Sequence, residues 1–510
     1  MSFDKLSTEV VLWILGYVQP EDAINLGKTC KRLYKMCQDH ILWKQLAYQM
    51  CLTNGILIPH DFNLLTLNEL RHMATAPRRM LKELFDHRQP QDMDSEVEEK
   101  WLYHKHMREL RIPSESPIDQ MILIPGGRYM ITLAYNVFNF WDLLISGKHP
   151  KLLKEWIHPT NDGVILTFTP TQNQKGMTIA VSSSSPSLLV TLYKLTFTDG
   201  GDVNLSSIDA PIEGDIDEEG FACWTVVGNR FAYVFESVVS IWDSEINKIV
   251  KWDTTASGEC QEIIFDGDRV WLLCNEELLG WTIPEFRALE LHLNQPAEVI
   301  HPEYVITIHS PCAPFVNFLA RHEASWVSSQ DWYCTLGSPL TSFDIVWTDE
   351  SSQMDQVTTY SLARIYADNP STAPISAVAT LALPTLADDN DVGRTVDYTR
   401  HSGDSLIKTL YSFKTKCLNL IVSSASGTQN GYPKSYRVSL PLVPHVPGRQ
   451  SLTRQEKDDY LHDAMHSQIF DPIAGRACRI DEGCEGGILI WEYLDFNPDS
   501  KRDLRRRRDF

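Results

Sequence analysis

The chain has 510 residues, 43% of them hydrophobic and 22% charged, with a formal net charge of -21; these are the proportions of a globular protein too long for one ordinary domain. The acidic balance argues against nonspecific binding to nucleic acid or anionic membranes, since both need clustered Lys and Arg. The opening MSFDKLSTEV carries an acid and no signal-type core, and the longest early apolar run, VVLWILGYV, falls far short of the about 20 residues that cross a bilayer, so neither secretion nor a membrane span is expected.

Eleven cysteines are scattered without a CxxC pair, which suits reduced, mostly buried thiols in the cytoplasm or nucleus and no disulfide framework. In the opening stretch Ser7 or Thr8 caps a helix and Glu9 sits in its first turn. Val10, Val11, Ile14, Leu15 and Val18 follow at helical spacing, and Trp13 and Tyr17 widen the stripe beyond what a small bundle needs. Gln19-Pro20 ends that helix and Pro20 starts the next, with Glu21 and Asp22 in its first turn and Ala23, Ile24 and Leu26 on its inner face. Cys30, Leu33, Tyr34 and Cys37 mark a third helix, and Ile41, Leu42, Trp43 and Leu46 a further apolar cluster.

Leu6, Glu9-Val10, Ile14-Leu15, Pro20-Glu21-Asp22, Leu26, Cys30, Leu33 and Leu42-Trp43 resemble the F-box motif in order and spacing. The family's Pro after the first Leu is Ser7 here, and both residues favour helix starts. The resemblance implies that Leu6, Ser7, Glu9, Val10, Ile14, Leu15, Leu26, Cys30, Leu33, Leu42 and Trp43 bind a Skp adaptor, and through it a cullin ubiquitin ligase.

Residues 47–112 read as a mostly helical linker, with LTLNELRHM and PRRMLKELFDHR as pieces and the polar, acidic QPQDMDSEVEEKW as a solvated connector. In F-box proteins such a segment holds a recognition domain at a set distance from the adaptor.

From about 117 the pattern becomes short β runs. GGRYMITLAYNVFNFWDL, GNRFAYVFESVVSIWDS, GDRVWLLCNEELLGWTI and AGRACRIDEGCEGGILIWEY each run turn glycine, charged residue, strand, polar turn, second strand and Trp. LLVTLYKL is a degenerate copy with Tyr193 in the Trp position. A period of roughly 40 to 50 residues with a terminal Trp-Asp is that of a propeller blade, and the region resembles the WD-repeat propellers. Two further blades are placed to end near SFDIVWTDESSQMDQVTTYSLARI and near SLIKTLYSFKTKCLNLIVSSASGTQNGYPKSYRVSL. That makes seven, or eight if 301–335 is a blade of its own; 301–335 and 384–404 otherwise read as insertions. The Trp residues are read as wedges between blades, not as ligand contacts.

The expected fold class is therefore α+β multidomain: an F-box at 1–46, a helical linker at 47–112, an all-β WD-like propeller at 113–495 and a basic tail at 496–510, as in a fungal-type F-box protein. No phosphate loop, HExxH or GxSxG occurs. Arg321-His322-Glu323 lacks a second ligand at helical spacing, and Cys478 and Cys484 lack two more. No enzyme activity, metal or cofactor is expected, and no nucleic-acid or membrane partner. The acidic segments DMDSEVEEK, EGDIDEEG and DDNDVGR read as solvated loops. KRDLRRRRDF reads either as a nuclear-import signal or as a charged terminus. The function expected is a substrate receptor of a Skp–cullin–F-box ligase, the propeller holding a protein target whose contacts the sequence does not name. An adaptor-bound scaffold outside any ligase is the alternative, and an enzyme with an accessory F-box the third reading.

Overall fold

A computed structural model describes residues 6–53, 56–87, 102–111, 118–144, 149–161, 163–171, 175–183, 189–198, 202–210, 221–254, 260–266, 268–274, 277–288, 296–307, 342–349, 354–361, 377–382, 396–402, 405–412, 417–424, 434–441, 468–471, 474–481 and 487–496. The acidic segments, the Arg321-His322-Glu323 triplet, Cys484, the basic tail and most of 301–335 lie outside them.

Five helices come first: α1 (Thr8–Leu15), α2 (Pro20–Gly27), α3 (Lys31–Met36), α4 (His40–Thr53) and α5 (Leu67–Asp86). Ser7 caps α1, its side chain accepting from the Val10 N–H, and Pro20 opens α2 at its first position. Cys30 caps α3 with its sulfur. The two helical pieces expected in the linker are one helix. Thr66 and Glu69 form a capping box at the start of α5, and the helix runs through Pro77. Pro77 lacks the N–H that would bond four residues back. Burial of Leu70, Ala74, Met80 and Leu84 along one face keeps the helix going.

Most of the strands fall into four-stranded antiparallel sheets. β1 (His106–Arg111) comes first. Then follow β2 (Gln120–Leu123), β3 (Tyr129–Ala134), β4 (Val137–Asp142) and β5 (Lys151–Ile157), and β6 (Val164–Pro170), β7 (Gly176–Ser183), β8 (Leu189–Phe197) and β9 (Val203–Asp209). Next are β10 (Phe221–Val227), β11 (Arg230–Phe235), β12 (Val238–Asp243) and β13 (Lys248–Asp253), then β14 (Cys260–Asp266), β15 (Arg269–Cys274) and β16 (Glu277–Thr282). The short β17 (Arg287–Ala288) and β18 (Glu298–Val299) both pair with β13, and β19 (Tyr304–Thr307) pairs with β16. β20 (Ser342–Asp349), β21 (Met354–Ser361) and β22 (Ala377–Ala382) form a sheet of three. β23 (Val396–Ser402), β24 (Ser405–Ser412), β25 (Cys417–Ser424) and β26 (Lys434–Pro441) form one of four. The last sheet joins β27 (Gln468–Asp471), β28 (Arg476–Asp481) and β29 (Gly487–Glu492) to β1, which pairs antiparallel with β29.

The fold class is the expected one, a helical module followed by an all-β array of blade-type sheets. Two expectations need correcting. β1 lies inside 47–112, so the array begins at His106 rather than 113; its alternating HMRELR is a strand, too short and too polar to stand out from a linker. β23 lies inside the supposed insertion 384–404. The repeated sequence has a structural meaning. Trp141, Tyr193, Trp242, Trp281 and Trp491 all lie on the third strand of their sheets and are buried. The charged residue after the turn is an arginine that meets the acid after Trp. Arg128 holds Asp142 with two hydrogen bonds of 2.9 and 2.7 Å, and Arg476 Nε donates to Glu492 at 3.0 Å. Arg230 meets Asp243 at 3.4 Å. Where Thr282 takes the place of the acid, Arg269 lies over the Tyr304 ring instead.

Two compact units are found, one of Met1–Ile157, Phe197–Val203 and Leu440–Phe510, the other of His158–Thr196 and Asn204–Ser439. In the first, Trp141, Met130, Leu123 and Leu110 pack with Cys478, Ile488 and Ile490 of the last sheet. In the second, Trp252, Trp281, Ile241 and Leu272 form a core between neighbouring sheets.

The linker is not a free spacer. Within the first unit it docks on the turns that follow the first strand of two sheets. Gly126, at φ 89°, would drive a Cβ to 2.4 Å from Ile56 Cγ2, and a Cβ on Gly475 (φ 63°) would meet Met80 Sδ at 2.9 Å; only glycine lets the helical layer come this close. Asp61 pairs with Arg128 at 2.7 Å. The His60 N–H donates to the Tyr129 hydroxyl at 3.1 Å, Arg79 donates to the Asp495 carbonyl at 2.7 Å, and Lys105 meets Glu83 at 2.8 Å.

Candidate adaptor-binding face

The helical module has a complete core of its own. Val11, Leu15, Ala23, Leu33, Met36, Leu42, Trp43, Leu46 and Cys51 pack with Phe62, Leu65, Leu70 and Ala74 from beyond residue 53. Trp43 is its centre. The indole N–H donates to the Cys37 carbonyl at 2.7 Å, and Arg71 of α5 lies over the ring at 5.1 Å while donating to the same carbonyl at 2.6 Å. The Cys37 thiol donates to the Ala23 carbonyl at 3.1 Å, and burial pushes its pKa up. The Cys51 thiol is pushed up to about 12 by burial. Both thiols are held neutral.

This core divides the residues expected to meet a partner. Leu15, Leu33, Leu42 and Trp43 are buried and cannot reach one. Ser7, Glu9, Val10 and Cys30 are exposed, and Leu6, Ile14 and Leu26 are half-buried. The correction has a simple origin. Helix α1 is apolar on nearly all sides, so its residues form two stripes. Val11 and Leu15 face the core, while Val10, Trp13 and Ile14, with Tyr17 in the turn that follows the helix, lie along the other side. Trp13 is 64% exposed and Tyr17 is 66% exposed, their rings edge to face at 5.2 Å. On the following helices Tyr34 is 57% and Ile41 is 73% exposed. Trp13, Tyr17, Tyr34 and Ile41 are not among the expected contacts. A signal is present in Trp13 and Tyr17, which exceed what the bundle needs, but spacing alone does not say which stripe faces inward.

Residues 4–49 match the F-box-like family model. The N-terminal module is F-box-like. No curated protein matches the chain. Among solved structures, the WD40 domain of SCAP from fission yeast aligns at 10% identity over 74% of this chain and 85% of its own, with a TM-score of 0.35. The Cps50 (Swd1) β-propeller domain of Myceliophteria thermophila aligns at 10% identity over 76% and 99%, with a TM-score of 0.37. Saccharomyces cerevisiae Sqt1 aligns at 9% over 76% and 98%, at 0.36.

On the F-box-like face large aromatic and aliphatic side chains stand in solvent on a module already stabilised behind them, and interface centres are enriched in such side chains. Among the described residues no group of three or more His, Cys, Asp or Glu could hold a metal, and no helix is long and apolar enough to cross a membrane. Cys478 is a free, buried thiol pushed up to about 12 by burial.

Proposed function

We propose that the chain is the substrate-recognition subunit of a Skp–cullin–F-box ubiquitin ligase, acting in the cytoplasm or nucleus, with the F-box-like module on the Skp adaptor and the β array on a protein target. The observation that carries this reading is the outward stripe of α1, with Trp13 and Tyr17 exposed beside a finished core. Adaptor binding buries that stripe. The chain does no bond chemistry; it holds the target near a charged ubiquitin-conjugating enzyme and so raises its effective concentration.

Residues 1–46 dock the adaptor on this reading, 47–105 join it to the array, and 106–495 present the target surface. Within the first unit the linker occupies the sheet end that carries Gly126, Arg128 and Gly475. The β3–β4 hairpin turns at the opposite end of its strands, where Tyr135, at φ 63°, is exposed. That end is left for the target.

The test compares the full chain with a Trp13→Asp, Tyr17→Asp double variant, after targets are captured under ligase-inactive conditions and identified by mass spectrometry. The variant should lose the adaptor, capture the same target and leave it long-lived, while the wild type shortens its half-life. Equal turnover with both would replace the ligase reading by a scaffold.

A further inference from the structure

We propose that Cys260 and Cys274 form an oxidisable dithiol, a modification site at which a small peroxide closes a disulfide across β14 and β15. The inference is independent of the proposed function. Cys260 opens β14, Cys274 closes β15, and the two are partners in the antiparallel register. Their sulfurs lie 3.1 Å apart, and both residues are buried, at 3% and 4% exposure. Neither is in a disulfide. Residues directly opposite in an antiparallel ladder have Cα atoms about 4.5–5.5 Å apart, inside the about 4.4–6.8 Å that a disulfide spans. Closing the bond therefore needs side-chain rotation rather than backbone travel. The register also shifts between Cys260 and Glu262, and such a bulge loosens the ladder beside the sulfur that has to move.

The setting selects the oxidant. The pair sits in an apolar cluster with Ile263, Phe265, Leu272 and Trp281. A bulky charged disulfide cannot enter such packing, whereas neutral hydrogen peroxide, hardly larger than water, can. The two sulfurs share one hydrogen bond in which either can donate. Cys260, beside the bulge, is the attacking sulfur. As thiolate it displaces hydroxide from hydrogen peroxide to give a sulfenic acid, and the hydroxide takes the Cys274 proton as water. The Cys274 thiolate then attacks the Cys260 sulfur and expels a second hydroxide, which the proton first lost by Cys260 converts to water. Two thiols and one peroxide become one disulfide and two waters, the peroxide carrying away both electrons.

Cys223 belongs to the same cluster, so it is the competitor that the experiment must separate. The native full chain is treated with hydrogen peroxide, quenched with catalase, denatured, alkylated and read by intact mass and peptide mapping. The expected product carries nine alkyl groups, the eleven cysteines less two, and one linked peptide pair joining Cys260 to Cys274, undone by dithiothreitol. Cys223→Ser keeps the link. Cys274→Ser loses it and leaves a Cys260 sulfenic acid that dimedone traps. Eleven alkyl groups after peroxide, oxygen adducts on single cysteines, or a link through Cys223 in the wild type would each overturn the proposal. The wild-type peptide map distinguishes these outcomes even if a variant fails to fold.

Discussion

In α1 and α4 two tryptophans face opposite ways. Trp43 is sealed between the end of α3 and Arg71, whereas Trp13 stands in solvent. Trp43→Ala should cost about 3–5 kcal/mol of stability through the cavity it leaves, read by chemical denaturation of the full chain. Trp13→Ala should leave stability within about 0.5 kcal/mol and weaken Skp-adaptor binding by about 2 kcal/mol, read by calorimetric titration. The reverse pattern would mean that the assignment of inner and outer stripes is wrong. His72 offers a second test at this scale. Burial, aided by Arg79 and Arg476 and opposed by Glu492, pushes its pKa down to about 4, and burial also lowers His60. Both are neutral in the folded chain and take up protons near pH 6.5 when unfolded. The stability that His72 confers is complete above about pH 6.5 and is lost as pH falls toward about 4, because the unfolded state then binds more protons, and His60 acts in the same direction. Thermal midpoints at pH 7.5, 6 and 5 should fall in that order, and His72→Asn should flatten the fall.

The linker and α5 act as one docked element. Asp61 adds a second carboxylate to Arg128, the arginine that the first sheet already uses to hold Asp142. Ile56 and Met80 press against Gly126 and Gly475. Removing Arg128 strands two acids, one of them buried, so Arg128→Met should cost about 3–5 kcal/mol. Gly126→Ala carries both a positive φ and a clash with Ile56, and should loosen the linker without touching a strand. Limited proteolysis checks this: cleavage in 54–66 should quicken in Gly126→Ala while the β strands stay protected. Unchanged cleavage there would show that the linker does not depend on this contact. The capping box of α5 is readable in Thr66 and Glu69, but the docking is not, since the polar composition of a linker suits a solvated spacer equally well.

Across the whole chain, β1 supplies the outer strand of the sheet that holds the last Trp, through the register of His106 with Glu492. A chain starting at residue 113 would leave β29 with an open edge, and such edges recruit other chains. It should elute as aggregates in size-exclusion chromatography, while a chain starting at 102 keeps β1 and remains better dispersed; a monomeric 113–510 chain would refute this role for β1. The sequence by itself determined the order of the modules, the F-box spacing and the repeated Arg, strand, Trp and acid signature, because these follow from periodicity along the chain and from pairs close in sequence, such as Arg128 with Asp142. The tertiary structure alone decided which stripe of α1 is free, that Trp43 is core, that β1 closes the last sheet and that Cys260 meets Cys274. Each of these depends on which surfaces are covered by residues distant in the chain, Arg71 over Trp43 and Glu492 beside His106, and burial by distant neighbours leaves no local pattern to read.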